Sequence, residues 1–127
     1  MTVPPGSRRT VLLVDDHEGL RMVLREVLER SGYRVEMAEH GLVGIEQLRR
    51  VEIHVVLLDM DMPVMDGRAF LAVLAQDARL ARVPVIVYSA GPRPAPLPVG
   101  ARAWIWKGAE VSDVLAALAR HGSKSGE

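Results

Sequence analysis

Four short apolar runs in this 127-residue chain lead into residues that can handle charge. TVLLVD runs into Asp15 and Asp16, IHVVLLD stops at Asp59, VPVIVYS stops at Ser89, and ARAWIW is followed by Lys107. Laid side by side as parallel strands, these runs bring their ends to one rim, and function in an open parallel sheet gathers beyond the carboxyl ends of its strands. Crowded carboxylates repel, which raises their pKa values or calls in a cation, and a set offering only oxygen favours a hard ion such as Mg²⁺. A lysine and a hydroxyl are idle around a metal alone, but both suit the oxygens of a phosphoryl group. The set therefore reads as a carboxylate that accepts phosphate, with Mg²⁺ as its cofactor.

The elements that must hold this rim are legible as a rhythm. Runs at 10–15, 33–39, 53–59, 83–89 and 101–106 are mostly apolar throughout rather than alternating, as in strands covered on both faces. Leu20, Val23, Leu24, Val27 and Leu28 form a helical stripe, with Gly32 after it as a stop. Leu42, Ile45 and Leu48 mark a second helix, Phe70, Leu71, Leu74 and Ala78 a third, and Val111, Val114, Leu115 and Leu118 a last one. Strands separated by helices predict a doubly wound α/β fold, a parallel sheet sandwiched between two helical layers. Residues 10–121 form the domain, and 1–9 and 122–127 read as loose tails.

Composition narrows the function. Sixteen basic residues balance sixteen acidic ones, so no overall field draws the chain to nucleic acid or to an anionic membrane. The absence of cysteine excludes thiolate metal sites and cysteine nucleophiles and suits a reducing compartment, the cytoplasm. No apolar run approaches the roughly 18 residues of a membrane span. The four histidines, at 17, 40, 54 and 121, show no metal-ligand spacing and read as structural, and the six methionines as core filling.

Taken together, these segments resemble the receiver domains of two-component response regulators over about residues 10 to 121. VLLVDDHEGLRMVLREVLERSGYRVEMAEHG is similar to the family's first strand, acidic pair, first helix and second strand, and VVLLDMDMPVMDG to its phosphoacceptor strand and loop. VPVIVYSA resembles the fourth strand, and GARAWIWKG the fifth with its lysine. The resemblance implies a five-stranded sheet of order 2-1-3-4-5. It also implies that Asp59 is phosphorylated, that Asp16 and Asp59 hold Mg²⁺ directly and Asp15 through water, and that Asp61 adds its backbone carbonyl. Ser89 and Lys107 would bind phosphoryl oxygens, and Ser89 with Trp104 would form the switch. The implied donor is a sensor histidine kinase or a histidine phosphotransfer protein, the output a protein contact, and the chain a signalling module rather than a turnover enzyme.

Plainer readings stand beside these. Asp15-Asp16 could cap a helix, Lys107 could be a solvated surface lysine, Ser89-Ala90 could be ordinary loop chemistry, and Asp66-Gly67 reads as a turn capping the third helix. LLDMDMP also fits the D-x-D strand end of haloacid dehalogenase-like phosphatases, which would make the chain an enzyme. A receiver-like module that binds a partner without being phosphorylated is a further alternative.

One connection breaks the rhythm. AGPRPAPLPVG, between the fourth and fifth strands, places proline at 92, 94, 96 and 98, where receivers carry a helix. Each interior proline costs a helix roughly 3 kcal/mol, so the expectation is an extended segment at 92–98. Losing that helix is expected to bare Trp104 and Trp106, which alternation puts on one face, unless Pro94, Pro96 and Leu97 fold back over them. Trp104 stands where the family has Tyr or Phe. Gly108 replaces the family's proline after the lysine, so a trans Lys107–Gly108 peptide is expected.

Overall fold

The computed structural model describes residues 8–62 and 64–122, so most of both expected tails lies outside the described residues. Strands β1 (Thr10–Val14), β2 (Arg34–Ala38), β3 (Val55–Asp59), β4 (Val85–Ser89) and β5 (Ala101–Trp106) pair in parallel in the order β2-β1-β3-β4-β5. Helices α1 (Glu18–Arg30), α2 (Gly41–Arg50), α3 (Gly67–Ala75) and α4 (Val111–His121) connect or follow them, with a 3₁₀ turn at Leu80–Arg82 before β4. The doubly wound α/β sandwich is as read from the sequence.

Every position of β1, β3 and β4 is buried, which is why these runs are apolar on both faces. β2 and β5 form the edges and are half-exposed. Alternation divides the core into two layers. Leu12, Val14, Leu58 and Val87 meet Ile45 and Leu48 of α2 and Phe70 and Leu74 of α3. Val11, Leu13, Leu57 and Ile86 meet Leu24 and Leu28 of α1 and Val114 and Leu118 of α4 on the other side.

Four apolar residues read as core facing lie elsewhere. Val23 and Leu42 are more than half exposed, Val111 is exposed at the start of α4, and Ala78 is exposed beyond the end of α3. The buried stripe of α1 is narrower than its apolar stripe: Leu24 and Leu28 are buried against β1 and β3, with Leu20 partly buried beside them.

The helices begin at the rim where the strands end. His17 caps α1 through Nδ1, which accepts the Leu20 N–H, and His40 caps α2 in the same way through Val43. Asp66 caps α3 by accepting from the Ala69 N–H, as its turn chemistry suggested. Gly67 is required by space, since an added Cβ would press on the Met60 backbone. Gly32 ends α1 with φ of 99°, a left-handed value that glycine tolerates. Between β4 and β5, residues 90–100 contain bends and a turn but no helix, and the Ala95–Pro96 peptide is cis.

Candidate functional site

Register brings the acidic residues together. Val14 of β1 lies beside Leu58 of β3, so Asp15 and Asp59 leave the sheet as neighbours. Carboxylate oxygens of Asp15, Asp16 and Asp59 all lie within 4.8 Å of one another. Asp16 is exposed, whereas Asp15 is 4% and Asp59 2% accessible.

Asp59 is the centre of the arrangement. Its Oδ1 accepts the Asp61 N–H at 3.0 Å and lies 3.0 Å from the Lys107 ammonium nitrogen. Its Oδ2 is buried without any hydrogen-bond partner. Burial pushes the carboxyl up to about 6, and the Asp61 N–H and Lys107 only partly offset this, with the Asp15 charge adding to the rise. Lys107 responds the other way: burial pulls its pKa down, but the hydrogen bond and charge of Asp59 outweigh that, so the net shift is upward. One ammonium therefore does not compensate the desolvated acidic group, and an oxygen is left facing the shortfall. A hard divalent cation fits this donor set, which offers oxygens only.

Asp15 is fixed by the start of α1. Its Oδ1 accepts the His17 N–H at 2.8 Å, its own N–H donates to the Ala38 carbonyl, and its carbonyl accepts from Arg21 Nη1. The α1 cap is thus His17 rather than the acidic pair. Asp61 is exposed and contributes its N–H to Asp59.

Ser89 and Trp104 meet at one glycine. Ser89 Oγ is buried and accepts the Gly91 N–H at 3.0 Å, while Trp104 Nε1 donates to the Gly91 carbonyl at 3.3 Å. Both side chains line a cleft of about 690 Å³ with Asp61, Arg68, Arg93 and Pro94. Of the two expectations for the tryptophans, bare or covered, neither holds for both. Trp104 is half-buried against the α2–α3 core, but Trp106 is 61% exposed at the end of the edge strand. Pro96 is itself exposed.

The Lys107–Gly108 peptide is trans. Of the histidines, His17 and His40 are helix caps and His54 Nδ1 accepts the Thr10 N–H, in line with a structural reading. Sequence reasoning missed Tyr88, whose hydroxyl donates to the Lys107 carbonyl at 3.2 Å, and Arg21. An aromatic inside an apolar strand reads as core, and Tyr88 is also that. Arg21 stands one helical turn after the His17 cap, a spacing that returns its side chain to the rim, where it meets the Asp15 carbonyl.

The family model for the response regulator receiver domain matches residues 11–119. The chain is 45% identical over 85 residues to protein-glutamate methylesterase/protein-glutamine glutaminase 1 of Anaeromyxobacter dehalogenans, covering 65% of this chain and 23% of that protein. It is 40% identical over 57 residues to sporulation initiation phosphotransferase F of Bacillus subtilis, covering 45% of this chain and 46% of that one. The chain spans less than half the length of these two relatives. Chemotaxis protein CheY4 of Vibrio cholerae has a similar structure, with a TM-score of 0.84 and 26% identity over 91% of this chain and 99% of that chain. A family match over nearly all the described residues agrees with a 2-1-3-4-5 sheet carrying an acidic rim: the chain belongs to the response regulator receiver domain family.

Proposed function

We propose that Asp59 accepts a phosphoryl group from the phosphohistidine of a sensor kinase or phosphotransfer protein, and that the chain signals by contact with a further protein. The observation that carries this is the unpartnered Oδ2 of a buried carboxylate whose other oxygen is held at two points. In the transfer, Oδ2 attacks phosphorus in line, a P–O bond forms as the P–N bond breaks, and the electron pair leaves with the imidazole. No general base is needed, because a carboxyl with a pKa of about 6 is already mostly ionised at neutral pH.

Asp15, Asp16 and Asp59 would hold Mg²⁺, with the Asp61 carbonyl as a further oxygen. When bound, the ion supplies charge that screens the carboxylates from the incoming phosphoryl group. The Asp61 N–H and Lys107 fix the carboxylate plane through Oδ1, which aims Oδ2. Lys107 is also placed to donate to a phosphoryl oxygen on Asp59.

Ser89 provides the link to output. Drawing its Oγ to the phosphoryl group takes it from the Gly91 N–H, and Gly91 in turn holds Trp104. The proline segment stands in place of the family's helix between β4 and β5, so the conformational signal travels through residues 90–100. Hydrogen exchange in that loop that is unchanged by a phosphoryl mimic would remove this route.

Neither rival has an observation in its favour. A phosphatase of the D-x-D type needs its second aspartate as acid and base, but Asp61 is exposed and engages Asp59 through its backbone. An unphosphorylated module leaves the orphan Oδ2 without a purpose. The direct test is intact mass after incubation with acetyl phosphate and Mg²⁺. One phosphoryl adduct on the wild type and none on Asp59→Asn supports the proposal, and no adduct on either overturns it.

A further inference from the structure

Lys107 ends an edge strand and is followed by glycine, an arrangement that gives a flexible turn nothing of its own to stiffen it. Three contacts restrain it. The Lys107 N–H donates to the Ser89 carbonyl at 2.8 Å, continuing the sheet one residue past β5. Its carbonyl accepts from the Tyr88 hydroxyl at 3.2 Å. The third restraint is steric. The six-membered ring of the Trp106 indole lies over Gly108, where an added Cβ would fall inside it. Gly108 has no left-handed φ, so its lack of a Cβ makes room for the indole rather than for an unusual backbone conformation. The Ala109 N–H closes the turn on the Trp106 carbonyl at 2.9 Å.

These contacts converge on the backbone of one residue whose ammonium holds the phosphoacceptor. Tyr88 and Trp106 extend from opposite faces of the sheet: Tyr88 belongs to the α1–α4 layer, and Trp106 shares the face of Trp104. One grips the lysine carbonyl and the other covers the residue after it. Neither side chain hydrogen-bonds Asp59, whose partners among the described residues are the Asp61 N–H and the Lys107 ammonium.

We infer that Tyr88 and Trp106 are positioning residues for Lys107: the hydroxyl and the indole clamp the Lys107–Gly108 turn from its two sides and so hold the ammonium on Asp59. The inference rests on the reading of Asp59 as phosphoacceptor. It also explains why an indole is retained in an exposed position, where 61% of it faces solvent.

The test uses single-turnover phosphorylation of the full chain by acetyl phosphate with Mg²⁺. Tyr88→Phe keeps the ring and loses only the hydroxyl, so it should fold normally, and the maximal rate should fall about fivefold, the value of one hydrogen bond. Trp106→Ala should lower it to a similar degree, about three- to tenfold. Half-saturating Mg²⁺ should stay within about twofold, because the carboxylates are untouched. Each effect should vanish in a Lys107→Ala background, since a clamp has nothing to hold once the ammonium is gone. Gly108→Ala should expel the indole, red-shift tryptophan emission, and add nothing to the rate loss of Trp106→Ala in the double variant. Wild-type rates in both Tyr88→Phe and Trp106→Ala would overturn the inference, as would losses that persist undiminished without Lys107. If the wild type itself takes up no phosphoryl group, it is the phosphoacceptor reading that fails, and then tryptophan emission unchanged by Gly108→Ala would separately refute the indole clamp.

Discussion

The two sides of the rim are built by opposite means. Around Asp59, three strand ends and the start of α1 fix buried charges through short, redundant contacts. Across the cleft, residues 90–100 form no helix, expose Pro96 and Val99, and touch the site through single hydrogen bonds at Gly91. On the proposed function, the difference separates chemistry from readout. A phosphoryl site needs preorganised charge, which only a packed sheet can hold, whereas a readout surface needs an element whose contacts can be exchanged at low cost.

The largest effect that would sharpen this contrast is on the rigid side. Among the described residues Lys107 is the only cation in contact with Asp59, and in Lys107→Ala phosphorylation by acetyl phosphate should slow by about 100-fold or more. A loss under about threefold would show that the ammonium is a bystander.

Next in size is the stability cost of the site itself. The Asp59 carboxyl is raised from 3.8 to about 6, so between those values the folded chain keeps a proton that the unfolded chain has released. Stability contributed by this group is full below about pH 4 and is lost as pH rises through about 6. Asp59→Asn removes that loss but also leaves Lys107 unpaired. The net gain in metal-free urea unfolding at pH 7.5 should be about 1–2 kcal/mol, shrinking toward zero below pH 4. Equal stability of both proteins at every pH would contradict the strained carboxylate.

The smallest effect belongs to the loop. Trp104→Phe keeps an aromatic ring but cannot donate to Gly91, so stability should fall by about 1 kcal/mol. The phosphorylation rate should stay within about twofold, while the loop's hydrogen exchange rises. A rate loss as large as that of Lys107→Ala would erase the distinction between the two sides.

How much of this could be read in advance depends on what kind of contact is involved. Asp59 was legible because a carboxylate ending an all-apolar run has few other uses, and the helix-free course of residues 90–100 because four prolines at alternate positions forbid a helix. Val23 and Leu42 misled because periodicity gives a face but not the width of the surface it meets. Trp106 is bare, as loss of cover was expected to leave it, and alternation assigns its face; what periodicity could not give is that its indole comes to rest on Gly108. The Tyr88 hydroxyl was illegible, since its partner is a backbone carbonyl 19 residues away that only the sheet register brings near.

The central claim is that the Asp59 carboxylate becomes the acyl phosphate. Borohydride reduction of the phosphorylated chain, followed by peptide mapping, reads this directly, because an aspartyl phosphate is reduced to homoserine while a free carboxylate is not. Homoserine at position 59, dependent on Mg²⁺ and on acetyl phosphate, is the expected result. Homoserine at 15, 16 or 61, or a phosphoryl adduct that resists reduction, would contradict it.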